Sequence, residues 1–415
     1  MENGIYGLLG GRLAHSYSPE IHAALGEYEY RLFERTEDEI PAFLASDEFT
    51  AINVTIPYKK TVMPYLAGIS PEALKIGSVN TVTRAPDGLY GDNTDYYGFS
   101  YMLDAAGISV SGKKCLILGS GGASATALAV VRDRGGEAVV ISRRGADNYD
   151  NLERHADADV IVNTTPVGMY PDNGAAPLSL DGFPRLTGVV DMFYNPRRTA
   201  LILDAEARGI PAVSGLPMLV AQAKRANELF FRRPLPDAVI AQAEAAVRRQ
   251  KENIVLIGMP GAGKTTAGKA LAAKLGFAFA DTDAEIERLS GRHPSSILTE
   301  DGEDAFRALE SEAIRQAGKR SGCVIATGGG AVTRVENYAA LHQNGAIVFL
   351  TRPLGELSSS GRPLSASLGV EKLYEARLPL YEAWADARTA CLSDPERTAD
   401  AILAALGRGA NGGVK

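Results

Sequence analysis

Cysteine is scarce in this chain of 415 residues: Cys115, Cys323 and Cys391 are odd in number, far apart and not in metal-ligand spacing. That excludes a disulfide framework or a structural zinc site and points to a reducing compartment. The five histidines form no cluster either. No run of about 18 uninterrupted apolar residues occurs, and Met1 is followed by Glu2 and Asn3 rather than a basic and then an apolar segment. A cytoplasmic protein without a membrane partner is expected. Positive charge is not in excess, since 43 Lys and Arg face 50 Asp and Glu for a net −7. Such a balance offers no basic surface to a nucleic-acid backbone, so nucleic acid is excluded as a partner. Gly/Ser-rich tethers and internal repeats are also missing, and nothing in the sequence speaks to oligomeric state.

What is present is ordinary globular material, 45% hydrophobic and 22% charged, long enough for two or three domains. Two glycine-rich loops divide it. Gly119, Ser120, Gly121, Gly122, Ala123 and Ser124 follow the apolar run Cys115 to Leu118, and Gly258-Met-Pro-Gly-Ala-Gly-Lys-Thr265 follows Ile254 to Ile257. The first is of the dinucleotide type and the second of the ATP type, each between a strand-like run and a helix-like stretch. Around the first, buried strand-like runs at 115–118, 138–141, 160–162, 189–192 and 211–213 predict a parallel doubly wound sheet. Strands are also expected at 5–9 and 51–56, and mostly helix from Met218 to Gln250. The fold class is therefore α/β: an N-terminal α/β substrate domain (about 1–100, with 218–250), a Rossmann-type NADP domain (about 101–217), and a P-loop domain with a parallel sheet (253–408). The linker is only a few residues, and 409–415 reads as a flexible tail.

In the second half the G-x-x-x-x-G-K-[ST] pattern is complete, so backbone N–H groups from Gly261, Ala262, Gly263 and Thr266 can wrap ATP phosphates while Lys264 bridges them and Thr265 ligates Mg2+. Asp281 and Asp283 end a strand-like run; they can serve a hydrated magnesium and an acceptor hydroxyl, or simply cap the next helix. Gly328, Gly329 and Gly330 provide a second backbone surface open to a small polar ligand, and Arg307, Arg362 and Arg377 are spaced as separate clamps. These pieces (GMPGAGKTT, FADTDAEIE, EDAFR, ATGGG, SGRPL and ARLPLYE) resemble shikimate kinase from Asn253 to about Leu406. The resemblance implies that Asp283 is the acceptor-hydroxyl base, that Arg307, Arg377 and Gly328 to Gly330 contact shikimate, and that Asp281 holds magnesium through water. It further implies that Arg362 reaches the ATP phosphates from a mobile lid and that Arg397 lies by the adenine. The stretch between Arg362 and Arg377 is several residues shorter than the family's lid, from which an unusual ATP affinity is expected.

In the first half the glycine loop carries serine in the third glycine's place, a weaker fingerprint. Roughly 20 residues on, where an acidic residue would select NAD, stand Ser142, Arg143 and Arg144, which favour a 2′-phosphate and hence NADPH. For proton transfer to a carbonyl, Lys59 after Asn53-Val-Thr-Ile-Pro57 and Asp95 at the end of Gly91-Asp-Asn-Thr-Asp95 are the candidates; by residue type alone Lys59 is more often a solvated helix-start lysine and Asp95 more often an N-cap. The motifs AHSYSPEIH, NVTIPYK, GSVNT, GDNTD, GSGGAS, DMFYNP and GLPMLVAQA together resemble shikimate dehydrogenase from Ile5 to Val247. That resemblance implies carboxylate binding by Ser16 and Ser18, although Ser18 could equally cap its helix. It implies ring-hydroxyl contacts by Thr55, Asn80, Asp95, Tyr194 and Gln222, and Lys59 as the catalytic lysine. Ser142, Arg143 and Arg144 become the 2′-phosphate clamp, and Met192 and Gly215 border the nicotinamide.

Both resemblances meet on one metabolite. The expected function is reduction of 3-dehydroshikimate by NADPH followed by phosphorylation of the resulting shikimate by ATP. Two other readings stay open: an NAD-dependent quinate/shikimate-type oxidation in the first half, and one half acting as a non-catalytic ligand sensor.

Overall fold

The structure is a computed structural model that describes residues 4–14, 16–357 and 369–408. It divides into two compact units, Met1–Arg248 and Arg249–Lys415. The boundary falls near the end of helix Ala238–Lys251.

The first unit holds two sheets. β1 (Tyr6–Gly10), β2 (Tyr30–Glu34), β3 (Ala51–Val54), β4 (Gly68–Ile69), β5 (Thr81–Ala85) and β6 (Gly88–Asp92) form a mixed sheet in the order β2-β1-β3-β5-β6-β4. β1, β2 and β3 run parallel, whereas β5 and β6 form an antiparallel hairpin added beside β3. The hairpin register pairs Thr81 with Asp92, which sets the residues just before β5 against those just after β6. β7 (Lys114–Leu118), β8 (Glu137–Ile141), β9 (Val160–Asn163), β10 (Gly188–Asp191) and β11 (Ala212–Val213) form the second sheet, all parallel, in the order β11-β10-β9-β7-β8. Chain order reverses across β7, and ligands of such sheets sit beyond the strand ends at that reversal.

Alternation explains why β7 is apolar throughout. Cys115 and Ile117 join one core with Val160 and Val162, and Leu116 and Leu118 join the opposite core with Ile141 and Ile161, so helices cover both faces. The predicted helical stretch from Met218 is two helices, Leu216–Phe231 and Ala238–Lys251. Arg232 ends the first at a left-handed φ of 51°, and Pro234 and Pro236 prevent its continuation by removing backbone donors.

The second unit has one parallel sheet: β12 (Asn253–Ile257), β13 (Ala278–Asp281), β14 (Cys323–Ala326), β15 (Gly345–Thr351) and β16 (Ala387–Ala390), in the order β13-β14-β12-β15-β16. Helix Lys264–Leu275 follows β12 and packs Ala267 and Leu271 against Ile254 and Leu256, with Leu275 at the margin, the face its spacing predicts. Among the described residues no helix is long and apolar enough to cross a membrane.

Candidate active sites and family membership

In the first unit the β5–β6 hairpin assembles the site. Asn80 precedes β5, and Thr94 and Asp95 follow β6. The Asn80 Oδ1 accepts from the Thr94 N–H at 2.7 Å and from its hydroxyl at 3.1 Å, so the asparagine fixes the start of helix Asp95–Ala105. Thr94 is the residue before that helix, which leaves the Asp95 carboxylate at its first turn free to face Lys59. Lys59 Nζ lies 2.6 Å from Asp95 Oδ2, the two side chains 28% and 18% exposed. A half-shielded pair at this distance stays within reach of a ligand, the setting a proton-transfer lysine needs.

Lys59 stands on the turn after β3, where its carbonyl accepts from the Val79 N–H at 2.8 Å. Thr55, at the end of β3, donates its N–H to Leu9 O at 2.9 Å. Gln222, on helix Leu216–Phe231, reaches the same cluster: its Oε1 accepts from the Thr94 hydroxyl at 3.3 Å. That helix can come so close because Gly98 has no side chain; a Cβ there would meet Met218 O at 2.6 Å.

Ser16 and Ser18 are joined, the Ser16 hydroxyl donating to the Ser18 hydroxyl at 3.1 Å. Ser18 is buried as the first residue of helix Ser18–Leu25, preceded by Tyr17 with no side-chain cap, so it does not cap that helix. Tyr194 packs its ring 5.0 Å from that of Tyr17, and burial pushes its phenol up to about 12.

The glycine loop after β7 is open where a phosphate needs it. Gly119 takes a φ of 112°, which favours glycine, and a Cβ there would strike the Thr164 hydroxyl at 2.7 Å. No atom lies within 4 Å of a Cβ built on Gly121 or Gly122, and Ser120 is exposed while Ala123 is half-buried. Helix Gly122–Asp133 begins there without a side-chain cap, leaving N–H groups for an anion. Ser124, in the third glycine's position, is buried. Ser142 is half-buried after β8, and Arg143 and Arg144 are exposed beside it. Met192 and Gly215 adjoin: a Cβ on Gly215 would sit 2.2 Å from Met192 O. These open amides and exposed guanidinium groups fit a phosphorylated dinucleotide.

Sequence reasoning missed the network behind that surface. Asn163, ending β9, accepts from the Thr165 N–H and hydroxyl at 3.0 and 2.7 Å and donates to Asp191 at 3.2 Å. Asp191, with no exposure at the end of β10, also accepts from the Phe193 N–H and the Thr199 hydroxyl at 3.1 and 2.8 Å. Burial raises its pKa to about 6. The only sequence signal was a polar cluster following each of two apolar strands.

In the second unit a cavity of about 560 Å³ gathers Gly261, Gly263, Lys264, Thr265, Thr266, Asp281, Asp283, Arg307, Gly328, Gly329, Gly330 and Arg377. Lys264 Nζ donates to Gly258 O and Met259 O at 2.8 and 2.9 Å, which holds the loop around it. Ala262 is buried and its N–H goes to Met259 O at 3.1 Å. The Thr265 hydroxyl donates to Asp281 Oδ2 at 2.7 Å, while Asp281 Oδ1 caps helix Thr282–Ser290 through the Asp283 N–H. Asp281 thus both caps and stands beside Thr265, an all-oxygen pair suited to a hydrated Mg2+. Asp283 is left on the cavity wall.

Arg307 is oriented by two carboxylates, Glu303 at 3.1 Å and Glu310 at 2.6 Å. Glu310 has no exposure, burial raises its pKa, and its Oε1 has no hydrogen-bond partner. Its place three residues after Arg307 on one helix was a signal available in the sequence. Gly330 makes room for this group, since a Cβ there would lie 2.2 Å from both terminal nitrogens of Arg307. Arg377 and the buried Tyr381 both donate to Gly329 O, fixing the glycine run. Arg352, also on the cavity wall, had no sequence signal. Arg397 is exposed on helix Pro395–Ala405 and does not line the cavity. Arg362 lies outside the described residues, as does the stretch 358–368, while the residues from Val370 to Arg377 begin helix Val370–Trp384.

Comparison with known proteins finds matches to both units. Residues 8–82 match the family model of the shikimate dehydrogenase substrate binding domain and 260–407 that of shikimate kinase. The shikimate dehydrogenase (NADP(+)) of Clostridium beijerinckii is 36% identical over 245 residues, 54% of this chain and 91% of that protein. Its counterpart from Oleidesulfovibrio alaskensis is 37% identical, covering 59% of this chain and 94% of the relative. Among solved structures, a chorismate mutase/shikimate 5-dehydrogenase fusion from Clostridium acetobutylicum matches with a TM-score of 0.57 at 34% identity, over 60% of this chain and 97% of that one. Thermus thermophilus shikimate 5-dehydrogenase in complex with NADP(H) and shikimate matches with a TM-score of 0.53 at 32% identity, over 58% and 97%. This chain therefore belongs to the shikimate dehydrogenase family through its first unit and carries a shikimate kinase domain in its second.

Proposed function

We propose that the chain catalyses two consecutive reactions of aromatic-precursor synthesis: NADPH-dependent reduction of 3-dehydroshikimate to shikimate, and ATP-dependent phosphorylation of shikimate to shikimate 3-phosphate. The observation that carries this reading is an intact proton-handling group in each unit, Lys59 paired with Asp95 at 2.6 Å and Asp283 on the cavity beside the P-loop.

In the first site NADPH supplies the hydride. Lys59, as the ammonium, gives a proton to the ketone oxygen, and Asp95 holds it in place and accepts a hydrogen bond from a ring hydroxyl. Ser16 and Ser18 hold the carboxylate, and Thr55, Asn80, Tyr194 and Gln222 surround the ring. The amides of Gly119 to Ala123 would hold the phosphates and Ser142, Arg143 and Arg144 the 2′-phosphate, while Met192 and Gly215 would border the nicotinamide. Arg143, where an acidic residue would select NAD, favours NADPH over NAD.

In the second site ATP supplies the phosphoryl group, and Thr265 and Asp281 would hold a hydrated Mg2+ whose charge would offset that of the phosphates. Asp283 takes the proton from the acceptor hydroxyl. Arg307, Arg377 and the backbone of Gly328 to Gly330 orient shikimate, while Lys264 and the loop amides hold the phosphates.

Single substitutions separate the two activities. Lys59→Ala is expected to lower reduction by about 10²–10⁴-fold and leave phosphorylation within twofold of the parent; Asp283→Ala is expected to do the reverse. If either change silences both activities in a folded protein, the two-site reading fails.

A further inference from the structure

The loop that carries Arg143 and Arg144 also carries a carboxylate able to compete for them. The Ser142 N–H donates to Asp147 O at 3.2 Å, so the two arginines and Asp147 share one closed six-residue turn. Asn148 and Asn151 pin its backbone, donating to Gly145 O at 3.1 Å and Ala146 O at 2.9 Å. Asp147 does not pair with the arginines. Its Oδ1 lies 3.0 Å from Nε2 of His155, a residue 8% exposed at the end of the one-turn helix Leu152–His155. His155 Nδ1 is buried without a partner, and since a carboxylate only accepts, Nε2 is the donor to Asp147.

We propose that His155 is a positioning residue for cofactor selection: by holding Asp147, it keeps Arg143 and Arg144 available to the 2′-phosphate. The inference rests on the reading of those arginines as the 2′-phosphate clamp. Without His155, the Asp147 carboxylate is free to occupy a guanidinium and to repel an incoming phosphate, since both anions seek the same donors. A dinucleotide lacking the 2′-phosphate is indifferent to that competition.

The test is dehydrogenase kinetics on the full chain with NADPH and with NADH. His155→Ala is expected to raise the KM for NADPH about ten-fold, the size of one lost charge-assisted contact, leaving kcat and the KM for NADH within twofold. His155→Gln, which keeps a donor, is expected to stay near the parent. Adding Asp147→Asn to His155→Ala is expected to restore the NADPH KM to that of Asp147→Asn alone, a coupling that a double-mutant cycle isolates. An unchanged NADPH-to-NADH ratio in His155→Ala, or a double variant no better than His155→Ala, would overturn the proposal; the second result would make His155 a structural brace only. Arg143→Ala is the control on the underlying reading: if it leaves the NADPH KM unchanged, the clamp itself is misassigned.

Discussion

Asp191 shows how one buried residue joins stability to the cofactor site. With no exposure it still accepts hydrogen bonds from Asn163, Phe193 and Thr199, tying the ends of β9 and β10 to the start of helix Ala200–Ala207. Burial outweighs those donors and lifts its pKa from 3.8 to about 6. The folded state therefore binds a proton that the unfolded chain has already lost between about pH 4 and 6. The associated stability is fully present below the unfolded value and disappears as pH rises through about 6. A rise of that size in the folded state is worth roughly 3 kcal/mol. Denaturant unfolding of the parent and of Asp191→Asn at pH 4.5 and 7.5 checks this: the parent is expected to lose about 2 kcal/mol more than the variant across that interval. Equal losses in both proteins would show that Asp191 titrates as it does in the unfolded chain.

At the scale of elements, each site is set by the ends of strands, and legibility in the sequence depended on how local the geometry is. The P-loop and the dinucleotide loop could be read because a few adjacent residues form each. Local reasoning could not tell Asp95 as a partner of Lys59 from Asp95 as a helix cap; in the structure Thr94 is the residue before the helix and Asp95 pairs with Lys59. Tyr381 and the Asn163–Asp191 link stayed hidden because each acts across elements distant in sequence, whereas Glu310, three residues from Arg307 on one helix, was a local signal that went unread. The Gly328 to Gly330 run was legible as a backbone surface, but its reason was not: Arg307 packs against Gly330 while Glu310 anchors it. Gly330→Ala therefore pushes Arg307 off its carboxylates. Steady-state kinetics are expected to show a rise of about ten-fold or more in the kinase KM for shikimate, with reduction by the first unit unchanged. An unaltered KM would mean that Arg307 does not contact the substrate.

For the whole molecule the claim is that two separately built sites in one chain share one metabolite. Tethering two units raises the local supply of an intermediate without creating a tunnel, so shikimate made in the first unit is expected to exchange with added shikimate. The most direct measurement is product identification after incubating the purified chain with 3-dehydroshikimate, NADPH, ATP and Mg2+. Shikimate 3-phosphate is predicted, one per NADPH oxidised, with shikimate accumulating when ATP is left out. No oxidation of NADPH, or shikimate that builds up with ATP present and is never phosphorylated, would contradict the account.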